Sequence, residues 1–110
     1  MNREFVMTSE FDKQWGVLGF VDSDLYRLQR EILENPKVGA VIRGAGRLRK
    51  MRFAPEGHGK SGGSRVLYVD FVVQETVYLI TAYAKSKKEN LTNEQRNSLK
   101  VLVDALEKSL

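Results

Sequence analysis

There is no cysteine in these 110 residues, and only two prolines, one histidine and one tryptophan. Without cysteine, disulfide frameworks and thiolate-bound zinc are excluded, and the composition fits a reducing cytoplasm, where the chain is expected to reside. The lone histidine, His58, cannot build a histidine-rich metal site, and no cluster of Asp and Glu offers itself to magnesium, so no cofactor is expected. No apolar run reaches the ~18 residues of a spanning helix, and the N-terminus lacks a signal-peptide core, so no membrane partner is expected. Proline is scarce while 42% of residues are apolar and 29% charged, which is the composition of a folded chain. Its length suits one domain, residues 1–110, with a single core.

What is abundant is positive charge, and it is unevenly placed. The net charge is +4. Between Arg43 and Arg65 stand seven cations (Arg43, Arg47, Arg49, Lys50, Arg52, Lys60, Arg65) and one acid, Glu56, a local +6 that leaves −2 for the remainder. Concentrated charge of this kind favours an acidic partner such as nucleic acid.

Residues 3–8 alternate in the manner of a strand, with Phe5 and Met7 on one side. Ser9 reads as the cap of a short helix carrying Phe11, Trp15 and Leu18. Asp22 or Ser23 caps a second, whose Leu25, Leu28, Ile32 and Leu33 form one stripe until Asn35-Pro36 stops it, because the residue before proline avoids helical torsions. A glycine-punctuated loop delivers a strand over Arg47 to Phe53, and residues 55–63 form a long glycine-rich connection. Two β-prone runs follow, Arg65 to Val73 and Thr76 to Tyr83, expected to pair antiparallel across Gln74-Glu75. Thr92 to Gln95 matches a capping box ahead of a terminal helix with Leu99, Leu102, Val103, Leu106 and Leu110 on its apolar face. The order βααβββα predicts an α+β fold, a small antiparallel sheet flanked by helices.

Alternation along strands gives the cations a geometry. If Met51 and Phe53 face the core, Lys50 and Arg52 share the opposite face. Tyr83 has the parity of Leu79 and Thr81, and Lys85 continues it, so a three-stranded meander is expected to gather Lys50, Arg52, Arg65, Tyr83 and Lys85 in one concavity. Crowded cations lower a lysine pKa and make a neutral amine available as a base. Cleaving RNA requires a deprotonated ribose 2′-hydroxyl, neutralised phosphorane charge and a protonated leaving oxygen, which lysine and arginine can supply between them. Tyrosine adds a stacking surface. A basic strand face is, from composition alone, more often a binding face than a catalytic one. Residues 57–61 lack the spacing of a phosphate loop and do not open a helix, so nucleotide binding there is rejected. His58 reads as a solvated loop side chain, Phe11 and Trp15 as core, and Lys87 and Lys88 as a charged turn.

The string Asn35-Pro36-x-x-Gly39-x-x-Ile42-x-Gly44-x-Gly46-x-Leu48-Arg49-Lys50-x-Arg52 resembles RelE/HigB-like toxins of bacterial type II toxin–antitoxin pairs. The likeness continues through Gly59-Lys60-x-Gly62-Gly63-Ser64-Arg65-Val66-x-Tyr68, Leu79-x-x-x-Tyr83-x-Lys85 and Leu91-x-x-x-Gln95-Arg96, and is nearest to the HigB branch. It implies an mRNA endonuclease acting in the ribosomal A site without metal. Lys50, Arg52, Arg65, Tyr83 and Lys85 then stand at the catalytic positions, with Arg47, Arg49, Lys60, Lys87 and Lys88 as RNA contacts. Some members carry a catalytic tyrosine or histidine near the C-terminus. Residues 86–110 contain neither, which moves the acid role to a lysine or Tyr83. The implied partners are the ribosome with its mRNA, a cognate antitoxin of the helix-turn-helix, HigA-like kind, and operator DNA through that antitoxin. The same fold hosts ParE-like gyrase poisons, so a non-nuclease toxin and a plain RNA-binding module are the alternatives.

Overall fold

The computed structural model describes residues 2–54, 63–87 and 90–110. Within them the elements are β1 (Glu4–Met7), α1 (Ser9–Val17), α2 (Asp22–Glu34), β2 (Ala40–Val41), β3 (Arg49–Phe53), β4 (Ser64–Phe71), β5 (Thr76–Ala84) and α3 (Asn93–Lys108). The expected α+β architecture is present, with two refinements. The sheet has five strands in the order β1-β5-β4-β3-β2, and it is mixed, because β1 lies parallel to β5 while the other pairs are antiparallel. Neither refinement follows from alternation alone, since pairing direction depends on the path of α1 and α2 between β1 and the remaining strands. The short β2 arises where the residues after Asn35-Pro36 fold back onto β3, with Ala40 opposite Lys50 and Val41 opposite Arg49.

The helix starts differ from expectation by a residue. Thr8, not Ser9, caps α1: its hydroxyl accepts from the Phe11 N–H at 3.0 Å and donates to the Ile80 carbonyl at 2.6 Å. The cap position of α2 is Val21, whose N–H donates to the Asp24 carboxylate at 2.9 Å. Asp22 and Ser23 therefore lie inside the helix, where Asp22 still complements the positive end of the helix dipole. At α3 the expected capping box is formed, with Gln95 N–H donating to Thr92 Oγ1 (3.1 Å) and Thr92 N–H to Gln95 Oε1 (2.9 Å).

Each face of the sheet buries its own core. On one, Met51, Phe53, Val66, Tyr68, Val77 and Leu79 meet Phe11 and Trp15 of α1 and Leu28 and Ile32 of α2. Trp15 packs within 5.2 Å of Phe11, 4.5 Å of Phe20 and 5.4 Å of Phe53, ring centre to ring centre, each such pair adding about 0.5–1.5 kcal/mol beyond area burial. On the other face Leu67, Val69, Phe71 and Ile80 meet Val103, with Leu99 and Leu106 packed alongside. Leu102 and Leu110, expected on the apolar face of α3, are 39% and 45% exposed. A helix resting on one sheet buries a narrower stripe than the 3.6-residue pattern offers.

Candidate nucleic-acid interface

The cations are positioned by the register of three strands. Arg52 pairs with Arg65, and Arg65 pairs with Tyr83, so one row crosses β3, β4 and β5. Lys50, opposite Leu67, stands two residues from Arg52 on the same face. Beyond the other end, the Lys85 N–H donates to the Gly63 carbonyl at 3.0 Å, continuing the β4–β5 pairing past Arg65 and Tyr83. Because Met51, Phe53 and Val66 are buried against α1 and α2, alternation turns Lys50, Arg52 and Arg65 to the α3 side.

The shared parity of Tyr83 with Leu79 does not hold. The β4–β5 register slips between Leu67 and Tyr68, whose partners are Thr81 and Leu79, leaving Ile80 as the extra residue. This bulge sends Leu79 into the core beneath α1 and α2 while Tyr83 packs against the α3-side core. Tyr83 reaches the row because of the bulge, not through unbroken alternation.

Burial sorts the row. Arg65 is only 6% exposed, with its guanidinium donating to the Ser64 carbonyl at 3.2 Å, whereas Arg52 is exposed and Lys50, Lys85 and Tyr83 are half-buried. Among the described residues no carboxylate forms an ion pair with Arg52, Arg65 or Lys85. A buried guanidinium without an acid beside it is suited to an anion that arrives from outside.

The remaining sequence candidates lie elsewhere. Arg49 faces away from the row and donates to the Gly39 carbonyl at 2.7 Å, tying the loop after α2 to β3. Arg47 pairs with Glu107 of α3 at 2.9 Å. Lys87 is exposed in the turn after β5. Lys60, Lys88 and His58 lie outside the described residues. Among the described residues no group of His, Asp and Glu is arranged to hold a metal ion, and no helix is long and apolar enough to cross a membrane.

Sequence reasoning missed the anchoring of this face. The Tyr68 hydroxyl donates to the Pro36 carbonyl at 2.8 Å and accepts from the Gly39 N–H at 2.9 Å. Burial pushes the Tyr68 phenol above its ordinary value, while the bond from Gly39 pulls the other way. Pro36, Gly39 and Tyr68 belong to the recognised strings, so the signal was present without a visible purpose. At the far end of β4, Arg3 forms a two-pronged pair with Asp70 at 2.7 and 3.3 Å, which raises the Arg3 pKa.

Two hollows flank the row. A groove of about 870 Å³ runs between the start of α1, β5 and α3, and among the described sequence candidates Tyr83 alone lines it. A cleft of about 600 Å³ lies on the other side, bordered by Lys50, residues 40–44 and the start of α3.

A family model described as "RelE toxin of RelE / RelB toxin-antitoxin system" matches residues 5–109. Among solved structures, the fold is similar to a double arginine-to-alanine variant of the E. coli toxin RelE in the free state, at 19% identity and TM-score 0.56, covering 81% of this chain and 90% of that one. It is also similar to a chain of the intact E. coli RelBE toxin–antitoxin complex, at 19% identity and TM-score 0.55, covering 74% of this chain and 95% of that one. A conserved hypothetical protein from Helicobacter pylori matches at 17% identity and TM-score 0.58, covering 79% and 98%.

Proposed function

The chain belongs to the RelE toxin family, and from that premise we propose that it is a ribosome-dependent mRNA endonuclease of the HigB branch, cutting without a metal. The single observation that supports cleavage best is the Arg52–Arg65–Tyr83 row, with Lys50 and Lys85 beyond its two sides. In this reading the 2′-oxygen attacks the adjacent phosphorus and the 5′-oxygen leaves, giving a 2′,3′-cyclic phosphate and a free 5′-hydroxyl. Arginine stays protonated throughout, so Arg65 and Arg52 hold the phosphate and offset the charge that grows on the phosphorane oxygens. Lysine can exchange its proton, so of Lys50 and Lys85 one accepts the 2′-proton and the other supplies the leaving oxygen, with Tyr83 packed beside the phosphate. Lysines on opposite sides of the row, one as the neutral amine and one as the ammonium, suit an in-line displacement, where the proton is lost and gained at opposite ends.

The partners in this reading are the ribosome with its mRNA and a cognate helix-turn-helix antitoxin, which carries the pair to operator DNA. An acidic antitoxin segment complements the basic face. The site of action is the cytoplasm, where ribosomes are.

The test is mapping of mRNA 5′ ends on programmed ribosomes with purified protein. New codon-phased cuts are expected from the wild type, and an Arg65→Ala variant should cut about 10²–10³-fold more slowly, the usual loss when one donor to a developing oxyanion is removed. Wild-type protein that cuts nothing, or an Arg65→Ala variant that cuts at the wild-type rate, would overturn the proposal. Gyrase-dependent DNA breaks that persist in Arg65→Ala would favour the non-nuclease alternative instead.

A further inference from the structure

We propose that the cleft bordered by Lys50 is a subsite for the nucleotide next to the scissile phosphate, and that Asn93 makes it select a base edge rich in acceptors, guanine foremost. This rests on the reading of the row as an RNA-cleaving site. The cleft is lined by Ala40, Val41, Ile42, Arg43 and Gly44 on one side, by Asn90, Leu91, Asn93 and Arg96 on the other, and by Lys50. Its roughly 600 Å³ is within the usual range for a small-ligand site. Among its described lining residues are three cations and no acid.

Spacing connects it to the row. Lys50 and Arg52 are two residues apart on one strand, about 6.6 Å, which is close to the separation of successive phosphates on an extended RNA strand. A phosphate held by Arg52 and Arg65 therefore places its neighbour beside Lys50, at the border of the cleft. Val41, 53% exposed on the edge strand, supplies an apolar wall for a base.

Selectivity comes from the opposite wall. The Arg96 guanidinium donates to the Leu91 carbonyl at 2.9 Å and to Asn93 Oδ1, and a methyl group added at Gly44 would lie 3.8 Å from Arg96 Cδ. Arg96 is thus fixed at the start of α3, and its bond sets the orientation of the Asn93 amide. With that oxygen engaged, what Asn93 has to offer a ligand is its NH₂, a donor. Guanine presents two adjacent acceptors, O6 and N7, whereas adenine places an amino group beside N7 and sets donor against donor. Unpaired bases expose such edges to side chains, as RNA recognition requires.

The experiment is an NMR titration of the full chain with GMP, AMP and inorganic phosphate, alongside cut-site mapping on ribosomes. GMP should shift the amides of residues 40–44 and 90–96 and bind about tenfold more tightly than AMP, the order expected for one good base-edge contact. Asn93→Ala should erase that ratio while leaving the phosphate-induced shifts unchanged, and Asn93→Asp, which replaces donor by acceptor, should turn it toward AMP. A merely structural role would weaken both nucleotides equally. The inference is overturned if GMP shifts map outside the cleft, or if the GMP:AMP ratio survives in both variants. Wild-type protein that cuts no mRNA would defeat the proposed function, and the titration would then decide the cleft by itself.

Discussion

Replacing Gly39 by alanine should loosen the edge of the sheet that carries Lys50, for steric reasons alone. A Cβ built at Gly39 would sit 2.9 Å from the Lys50 carbonyl oxygen and 2.9 Å from Tyr68 Cε1. Neither neighbour can yield cheaply. The carbonyl belongs to β3, and the ring is pinned by its hydroxyl between Pro36 and Gly39. The loop must therefore move off the strand, stretching the Tyr68 bond and the Arg49 bond to the Gly39 carbonyl together. Overpacking of this kind costs about 1–3 kcal/mol, and a weakened buried hydrogen bond adds roughly 1 kcal/mol. The lower entropy of the unfolded alanine chain offsets about 0.4–1 kcal/mol. The net loss is about 1–3.5 kcal/mol, or roughly 4–14 °C in thermal midpoint for a chain of this size.

Thermal and urea denaturation followed by circular dichroism measure this loss, and a cycle with Tyr68→Phe isolates its cause. The phenylalanine leaves the Gly39 N–H and the Pro36 carbonyl without their partner, for about 1–3 kcal/mol by itself. Since both variants act on one contact, the double variant should lose less than the sum of the two. Gly39→Ala within about 0.5 kcal/mol of wild type, the range of an ordinary surface change, or strict additivity with Tyr68→Phe, would refute the reasoning.

Thr92→Ala should cost about 1 kcal/mol by removing the acceptor of the Gln95 N–H at the start of α3, read as a lower denaturation midpoint. Stability should also fall in alkali through Tyr68. Its folded pKa lies above the ordinary 10.0 because burial disfavours the phenolate, so its contribution is present below that pH and is lost as pH rises through the folded value. Urea midpoints at about pH 9 and about pH 11 should differ more for wild type than for Tyr68→Phe.

Element type and order were legible because they depend on local patterns: the stripe of α2, the capping box at Thr92 and the two β-prone runs around Gln74-Glu75. What was not legible depends on contacts distant in sequence. The parallel pairing of β1 needs β5, some seventy residues later. The bulge at Ile80 reflects which of two faces each side chain enters, and Leu79 and Tyr83 fit a period of two equally well without it. Arg47 and Arg49 looked like RNA contacts because charge alone does not say where a side chain finds its partner. Arg49 found the carbonyl of Gly39, just ahead of the neighbouring edge strand, and Arg47 found Glu107 on the last helix.

That division explains why so few of the chain's eighteen cations meet in the row. A run of basic residues on a strand is split by alternation, so half of the run is turned toward α1 and α2 whatever its chemistry. Arg49 goes that way and becomes a structural tie, while Lys50 and Arg52 go the other. The second selection is by register: Arg65 enters the row because Ser64 pairs with Phe53, and Tyr83 because one extra residue at Ile80 resets the phase of β5. Pairing β5 without that bulge, with Ile80 opposite Leu67, would set Tyr83 opposite Ser64 and turn it toward the core beneath α1 and α2 without changing any charge. The chemistry of this face is therefore a property of strand phase as much as of composition.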